Sequence, residues 1–370
     1  MTLMSCVPRP RGSFRFDVTL VGDINLDILL YGLPDDLALE RELLANRMAM
    51  HVGGSAAITA HNMAAMHNSV GLVAMAPHDE FGTLCQKELQ RAGVDLSRCV
   101  AGTEVQTGVT VLLQHQRYRR MLTYPGATAQ MTYESLDLEY LTDARHFHMC
   151  SYYLQRALTP SMPLLFSTLK QAGMTISLDP NDDPNHSWDR NILQSLRHVD
   201  ILMPNEREAC LLAAEPELDR AISFLTGLVP ILVIKRGADG ASVHCGSRAW
   251  YVSARNVKVV DAVGAGDSFN AGFLHGWLRG MAVEEALAFG NLTGAWSTMA
   301  SGGTSSFSGD QQIAALDDVW ANESQNLSKQ TVKPVSFERP MREQGPEICE
   351  TREGYTLKGG GGSKSGAKSM

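Results

Sequence analysis

The sequence predicts an α/β protein with a doubly wound, mainly parallel sheet and a smaller β-sheet that acts as a lid. From Ala144 onward, short apolar runs typical of buried strands alternate with helix-like segments, as at residues 146–150 and 158–171. Strands that alternate with helices form parallel sheets with right-handed crossovers. Two strand-like runs at residues 107–114 and 118–124 form instead a predicted hairpin among these units, which indicates the separate lid.

Composition excludes several classes of protein. The chain has 370 residues, 44% of them hydrophobic, so it can bury a sizeable core. Its formal net charge of −8 argues against nucleic acid or an anionic membrane as a partner. The seven cysteines are scattered singly, which indicates neither a zinc site nor a disulfide framework. Because the N-terminus has no signal-peptide pattern and the cysteines suit a reducing compartment, the cytoplasm is the predicted location.

Composition also sets the predicted domain limits. Residues 1–15 carry Pro, Arg and Gly and are predicted to be a flexible leader. The folded domain is predicted to span residues 16–321, with a lid segment at about 105–126. Residues 322–370 are polar, contain several prolines and finish in a glycine-rich run, so we expect a flexible tail there.

The most informative stretch is Asp261-Ala262-Val263-Gly264-Ala265-Gly266-Asp267. It joins a predicted strand to a predicted helix, where a glycine-rich turn leaves backbone N–H groups free to bind an anion. A carboxylate directly after such a turn, here Asp267, suits a general base that takes a proton from a hydroxyl attacking phosphorus. The alternative is a glycine-rich turn with a helix-capping aspartate, and these residues alone leave both interpretations open.

This stretch resembles the signature Asp-Thr-x-Gly-Ala-Gly-Asp of the ribokinase-like (PfkB) carbohydrate kinases, from which only Ala262 departs. Gly53-Gly54 is similar to the first signature of that family, Gly-Gly-x-x-x-Asn, but Ile58 stands at the asparagine position and cannot hydrogen-bond a hydroxyl. The resemblance extends over residues 16–320. It implies a ribokinase-like fold, a further lid segment at about 28–52, and phosphoryl transfer from ATP to an alcohol group of a sugar.

Polar residues after the first predicted strand form the candidate sugar site. Asn25 and Asp27 follow residues 16–21, and ligands of open α/β sheets bind beyond the carboxyl ends of strands. A carboxylate and an amide suit the paired hydroxyls of a sugar, while a polar loop without a ligand is the alternative. The resemblance implies that Asp27 binds the sugar and that Gly53 and Gly54 form a close-approach turn for a polar ligand.

Asn205-x-x-Glu208 is a second constellation with chemical meaning. A carboxylate one helical turn beyond an amide puts both on one face, which suits the hydrated Mg²⁺ that accompanies ATP. The alternative is an N-cap asparagine with a capping-box glutamate. The family has Asn-x-x-Glu in this place, so the resemblance implies the Mg²⁺ role, exerted through phosphates or water.

The segment around Lys235 and Gly237 resembles the nucleotide-side turn of the family. Gly237 would let the nucleotide pass over the backbone and Lys235 would steady phosphates, whereas the alternative is a hairpin turn with flanking charges. Asn291, on a predicted apolar helix, either approaches the adenine edge or is a packed polar residue. The resemblance adds a monovalent cation, K⁺, near Asp261 and Val263.

We therefore interpret the chain as an ATP-dependent sugar kinase with Mg²⁺ as its cofactor. In this interpretation Asp267 is the general base, and the amides of Ala265, Gly266 and Asp267, which follow Gly264, hold the transferred phosphoryl group. The predicted partner is a small-molecule sugar, and the predicted assembly is a homodimer formed through the lid. A nucleoside kinase of the same fold and a non-catalytic sugar-sensing protein are the alternatives that the sequence leaves open.

Overall fold

The computed structural model describes most of the chain, namely residues 7–10, 12, 14–34, 40–102, 104–114 and 119–327, and two short strands, Ile348–Cys349 and Thr356–Leu357. The strands of the domain are β1 (Phe16–Gly22), β2 (Asn25–Tyr31), β3 (Arg47–Gly53), β4 (Val70–Ala74), β5 (Val94–Asp95), β6 (Gly108–Gln114), β7 (Arg119–Tyr124), β8 (Ala144–Met149), β9 (Thr175–Leu178), β10 (Ile201–Leu202), β11 (Ile231–Lys235), β12 (Ala241–Cys245) and β13 (Arg248–Val252).

The main sheet has nine strands in the order β13-β12-β11-β10-β9-β8-β1-β4-β5. Every pairing from β11 to β5 is parallel, and only the edge strands β12 and β13 run antiparallel to their neighbours. The central strands are buried on both faces, which is why they read as continuous apolar runs in the sequence. The predicted doubly wound, mainly parallel α/β fold is confirmed.

Helices cover both faces of this sheet. They are α1 (Ser55–Ala65), α2 (Glu80–Arg91), α3 (Leu138–Thr142), α4 (Met162–Gln171), α5 (Ile192–Leu196), α6 (Glu206–Ala213), α7 (Leu218–Leu225), α8 (Ala265–Leu278), α9 (Val283–Ser297) and α10 (Asp310–Leu327). One buried apolar cluster packs β1 and β4 against α1, α2, α8 and α9, and a second packs the sheet against α3 to α7. The chain therefore buries two hydrophobic layers on opposite sides of one sheet.

The second sheet is the lid, in the order β3-β2-β6-β7. β2 pairs antiparallel with β3 and parallel with β6, and β6 and β7 form the predicted hairpin. β2 begins at Asn25, just after β1 ends at Gly22, so the chain passes from the main sheet into the lid within two residues. Asp23 and Ile24 form this junction.

Asn25 and Asp27 were predicted to follow the first strand, with a polar loop as the alternative, and the lid was predicted from about residue 28. Both residues do follow β1, but they already lie in the lid strand β2, so the lid begins earlier than predicted and the loop alternative is wrong. Their strand conformation is fixed by pairing with β3 and β6, which are distant in sequence, and a local pattern does not reveal such pairings.

The residues before α5 form a turn around Asp183, whose carboxylate accepts N–H bonds from Ser187 and Trp188, and the helix begins at Ile192. One further boundary differs from the predictions. The last helix, α10, continues to Leu327, beyond the predicted domain limit at residue 321. In the described part of the chain, no helix combines the length and apolar character needed to cross a membrane.

Candidate active site

Three segments meet at the carboxyl edge of the main sheet. β1 ends at Gly22 beside Asp23, and two helices that pack together, α1 and α8, both begin here. Their N-caps are glycines with left-handed backbone angles, Gly54 (φ 90°) and Gly264 (φ 70°). The first N–H groups of a helix lack partners within it, so both helix starts bring backbone donors to this edge of the sheet. Those of α1 are taken by Asp23.

Asp23 connects α1 to the sheet. Its carboxylate accepts N–H bonds from Ser55 (3.2 Å) and Ala56 (3.1 Å) in the first turn of α1, and a hydroxyl bond from Ser151 (3.2 Å) after β8. Burial raises the pKa of this carboxyl above its ordinary value. Asp23 was not among the predicted site residues, although an aspartate directly after the first buried strand was a usable signal.

The turn before α8 is close-packed. A Cβ on Gly264 would lie 2.6 Å from the Cα of Gly303 and 3.2 Å from Cδ1 of Ile58, so no other residue fits at its left-handed angle. Ile58, which the sequence analysis noted in place of a sugar-binding asparagine, packs against this turn. One helical turn later, Asn62 donates to Ser268 Oγ (2.9 Å) and to the Gly303 carbonyl (3.0 Å) and so holds the same loop.

Asp267 lies in the first turn of α8 and is 8% exposed. Burial raises the pKa of this carboxyl to about 7, with a further rise from the neighbouring charge of Asp179 and an opposing effect of Lys235. The amides of Ala265, Gly266 and Asp267 precede the regular hydrogen bonds of the helix, apart from a long 3.4 Å contact from Ala265 N to the Ala262 carbonyl. A titratable carboxylate thus lies beside an anion-binding turn.

Asp27 and Gly53 are adjacent across the lid. Asp27 is 6% exposed, and burial, followed by the charges of Asp23, Asp267 and Asp261, raises its pKa to about 7. A Cβ on Gly53 would lie 2.0 Å from Asp27 Oδ1, so only glycine leaves room for this carboxylate. The influence of the Asp267 charge on Asp27 places both carboxylates in one electrostatic neighbourhood.

Asn25 is turned into the protein. Its amide oxygen accepts a hydroxyl bond from Thr128 (3.2 Å), and its Nδ2 donates to Asp23 Oδ2 (3.4 Å). Both ends of the amide therefore have protein partners, and its sugar-binding role stays a prediction. In this arrangement Asn25 connects the lid strand to Asp23.

Asn205 and Glu208 form the capping box that was the alternative interpretation of their spacing. Glu208 N donates to Asn205 Oδ1 (2.9 Å), and Asn205 N donates to Glu208 Oε2 (2.8 Å). Glu208 is nevertheless buried at the carboxyl edge of the sheet, and burial, followed by the charge of Asp179, raises its pKa to about 7. The box fixes the glutamate without using its second carboxylate oxygen.

Lys235 is paired with Asp179, which was not among the predicted site residues. Its ammonium contacts the carboxylate of Asp179, a fully buried side chain just after β9, and Asn270 of α8 donates to the same carboxylate (2.6 Å). Lys235 Nζ is 3.6 Å from the position that a Cβ on Gly266 would occupy, so the ammonium lies beside the anion turn. Asp179 directly follows a buried strand, as Asp23 does, and this position was the signal available in the sequence.

Asp261 connects the turn before α8 to the lid by hydrogen bonds. Its Oδ1 accepts from Val263 N (3.0 Å), and its Oδ2 accepts from Tyr31 OH (3.1 Å) and Gly302 N (3.1 Å). Val263 packs with Leu29 and Leu112 of the lid strands β2 and β6. Three of the roughly four acceptor positions of the carboxylate are thus taken by protein donors.

Gly237 and Asn291 are the remaining residues predicted for the nucleotide side. Gly237 (φ 55°) is exposed in the turn between β11 and β12, and open space surrounds the position of a Cβ there. Asn291 Nδ2 donates to the carbonyl of Val252 (2.8 Å), which attaches α9 to the edge strand β13. The packed-polar-residue interpretation of Asn291 agrees with this contact, and its role at adenine stays a prediction.

Comparison with known proteins decides the family. Residues 15–309 match the sequence model of the pfkB family of carbohydrate kinases. The chain belongs to this family. A pfkB kinase is a phosphotransferase with an alcohol group as acceptor, so the predicted family, fold and enzyme class are confirmed.

Relatives of this pfkB kinase include enzymes for sugars and for nucleosides. The ATP-dependent ribose-1-phosphate kinase of Halopiger xanaduensis is 31% identical over 304 residues, 81% of this chain and 98% of that protein. A cytidine kinase of Thermococcus kodakarensis is 28% identical over 283 residues, 74% of this chain and 93% of that protein. An E. coli protein solved in complex with ATP and Mg²⁺ has the same fold, with a TM-score of 0.71 at 23% identity over 82% of this chain and 99% of that one.

The close approach of Gly53 to Asp27 generates a prediction. In Gly53→Ala the new methyl group would lie 2.0 Å from Asp27 Oδ1 and must displace that carboxylate. If Asp27 binds the sugar, substrate affinity should fall by about 10–100-fold, the value of one or two hydrogen bonds to a charged group, while ATP affinity stays near wild type. Titration calorimetry with each ligand measures both.

Two further variants make this result interpretable. Asp27→Ala supplies the reference loss, and Gly227→Ala, before β11 at the opposite edge of the sheet, controls for a general glycine-to-alanine effect. Unchanged sugar affinity in Gly53→Ala, or an equal loss for both ligands, would remove Asp27 from the sugar site.

Proposed function

We propose that the protein transfers the γ-phosphoryl group of ATP to a hydroxyl of a small sugar, with Asp267 as the general base. The observation that carries this proposal is the position of Asp267, buried in the first turn of α8 directly after the turn at Gly264, with a pKa of about 7. A general base is most effective when its pKa lies near the operating pH.

The N-terminus of α8 supplies both the proton acceptor and the charge stabilisation. Asp267 accepts the proton of the sugar hydroxyl while the hydroxyl oxygen attacks the γ-phosphorus, and the bond from that phosphorus to the β,γ-bridging oxygen breaks to release ADP. The amides of Ala265, Gly266 and Asp267 donate to the phosphoryl oxygens, where negative charge develops, and the helix dipole acts in the same sense. Closure of the lid excludes water, which would otherwise compete as the acceptor.

The donor set around Glu208 fits a hydrated Mg²⁺. Glu208 uses Oε2 in its capping box, so Oε1 is left to accept a hydrogen bond from a water of the ion, and Asn205 orients the glutamate. When bound, Mg²⁺ neutralises charge on the ATP phosphates. A nearby cation would also favour the ionised form of Glu208, whose pKa burial has raised to about 7.

A small sugar is the substrate class that the site supports best. The buried carboxylate of Asp27, with glycine at position 53, offers a strong acceptor for hydroxyl groups. The similarity to a ribose-1-phosphate kinase at 31% identity supports a pentose or its phosphate, and the similarity to a cytidine kinase keeps nucleosides as the second candidate. A coupled ADP-release screen over both classes distinguishes them.

Several narrower expectations stay proposals. A K⁺ ion near Asp261 and Val263 would share a carboxylate that already accepts three protein hydrogen bonds, so no step of the mechanism is assigned to it. A non-catalytic sugar sensor would not need the base, and the intact Asp267 and glycine turn argue against that alternative. The cytoplasmic location likewise stays a prediction.

We also propose that the lid forms a homodimer through its outer face. Strand register places Met50, Ile28, Val111 and Leu122 in one row across the four strands. Met50 is 46% and Leu122 is 59% exposed, so the row presents an apolar surface to solvent. A second copy of the lid is the occupant that supplies a matching apolar face.

A charge in this row should prevent the dimer. Leu122→Asp is expected to sediment as a monomer at concentrations where the wild type is a dimer, because a carboxylate would be buried without a partner. Met121→Asp is the matched control, since Met121 is equally exposed on the same strand but faces the opposite side. A monomeric wild type, or a dimeric Leu122→Asp variant, would contradict the lid dimer.

Asp267→Asn tests the proposed chemistry. The amide keeps the shape of the side chain but cannot accept the proton, so the single-turnover rate of phosphoryl transfer should fall by about 10²–10⁴-fold. Affinities for ATP and sugar should change little, because the turn amides remain. Rapid-quench kinetics and ligand titrations on the same preparation measure these quantities.

The helix-capping alternative predicts a different outcome for the same variant. It expects a loss of about 0.5–2 kcal/mol in the free energy of unfolding, with turnover of the folded fraction preserved. Unfolding in urea therefore accompanies the kinetics. A folded Asp267→Asn protein with a near wild-type transfer rate would overturn the proposed mechanism.

A further inference from the structure

We propose that Asp179 is a positioning residue which, together with Asn270, fixes the ammonium of Lys235 over the Gly264–Gly266 turn, where phosphate oxygens of ATP would lie. The inference rests on the proposed function and adds to it two residues with roles different from that of Lys235. Lys235 contacts phosphate, while Asp179 and Asn270 act only through Lys235.

Asp179 is held rigidly from three directions. Its backbone N–H donates to the carbonyl of Met149 (2.9 Å), which anchors the residue to β8 at the end of the sheet. One carboxylate oxygen, Oδ1, accepts from Asn181 N (3.2 Å), and the other, Oδ2, accepts from Lys235 and from Asn270 (2.6 Å). A fully buried carboxylate with this set of donors has no freedom to follow a ligand, so it can serve as a fixed reference point for the lysine.

Lys235 is placed just as firmly. Its backbone N–H donates to the Pro204 carbonyl (3.0 Å), which joins the end of β11 to the segment just before Asn205, the N-cap of α6. The side chain is 12% exposed and its Nζ lies 3.6 Å from the position of a Cβ on Gly266. An ammonium has three N–H donors, and the bond to Asp179 leaves two of them for a phosphate on the turn.

Asn270 completes the arrangement one helical turn after Gly266. Its Nδ2 donates to Asp179, while its Oδ1 is buried and has no donor from the described part of the chain. A buried acceptor without a partner is unusual in a native protein and indicates a bound water or ligand group at this point. The unpartnered oxygen of Asn270 therefore points to an additional polar group beside Asp179.

The ion pair of Asp179 and Lys235 also explains how Lys235 and the proposed base Asp267 can lie close together without neutralising each other. Lys235 lies within electrostatic reach of both Asp267 and Glu208. An unrestrained ammonium would pair with Asp267 and lower its basicity, and it would lose the contact with phosphate. Asp179 prevents this by taking the ammonium.

Stability alone is a weak reason for such a pair. Buried ion pairs can often be replaced by apolar side chains without loss of stability, although removing one partner is costly. A positioning role predicts instead that the effect of Asp179 disappears once Lys235 is gone. Double-mutant cycles measure this dependence.

The experiment compares Asp179→Asn, Lys235→Met and the double variant, with single-turnover transfer and ATP affinity measured on each. Lys235→Met should lower the efficiency of transfer by about 10²-fold, as expected for loss of one preorganised donor to developing charge. Asp179→Asn should lower it by about tenfold or more, and the double variant should be no slower than Lys235→Met. Asn270→Ser should also lower the efficiency of transfer, by a smaller factor, and should have no further effect in combination with Lys235→Met. If Asp179→Asn does not fold, the double-mutant cycle of Asn270→Ser with Lys235→Met tests the positioning role instead.

Asp200→Asn is the matched control. Asp200 is a buried aspartate at the opposite edge of the sheet whose carboxylate contacts the Lys170 ammonium at 2.9 Å through both oxygens. Its loss should lower stability without lowering the transfer rate of the folded protein. This separates the cost of breaking a buried ion pair from the loss of a positioned lysine.

Additive losses in the double variant, or wild-type kinetics in Asp179→Asn, would overturn the inference while leaving the kinase function intact. If the wild type turned over no sugar or nucleoside, the proposed function would fail instead. The ATP-affinity cycle would then still decide whether Asp179 acts through Lys235.

Discussion

The burial of carboxylates at the carboxyl edge of one sheet is the constraint on which the rest of the site depends. Asp23, Asp27, Asp179, Glu208 and Asp267 are all less than 9% exposed, and burial raises the pKa of Asp27, Glu208 and Asp267 to about 7. The N-termini of α1 and α8 and the ammonium of Lys235 make this concentration of charge tolerable. A site of this kind has a strong preference for cations and for polarised hydroxyl groups.

The same edge also joins the lid to the turn before α8. β1 leads into the lid strand β2 through Asp23, and Asp27, which we propose binds the sugar, is part of that strand. The Asp261 carboxylate connects Tyr31 of the lid to Gly302, while Val263 packs against Leu29 and Leu112. Lid position and turn geometry are therefore mechanically coupled, which is what a kinase needs if water is to be excluded when the base is in place.

Sequence reasoning recovered the fold because the β–α alternation and the hairpin are local patterns, and the glycine signature identified the turn before α8. It failed where long-range contacts decide the structure: the start of β2 at Asn25 was not recognised, and Asp179 and Asn270 were missed, because their roles depend on Lys235, 56 and 35 residues away in the chain. The spacing of Asn205 and Glu208 could not distinguish a capping box from a metal site, because the folded chain has features of both. The two residues form the hydrogen bonds of a capping box, and Glu208 is also buried, as a carboxylate in a metal site would be. The role of Ile58 could not be predicted from the sequence either, because its packing against Gly264 becomes visible only in the folded structure.

The central claim is that a buried aspartate with a pKa near neutrality accepts the substrate proton. The most direct measurement is kcat/KM for the sugar between pH 5 and 9 in the wild type and in Asp27→Asn, since this ratio reports the ionisation of the free enzyme. Asp267 and Asp27 both have a pKa of about 7 and both act as carboxylates, so kcat/KM should decrease as the pH is lowered from about 7. The decrease should be steeper than tenfold per pH unit in the wild type, where two groups become protonated, and about tenfold per unit in Asp27→Asn, where one does. A ratio in Asp27→Asn that stays constant down to about pH 5, near the ordinary range of aspartate, would contradict the account.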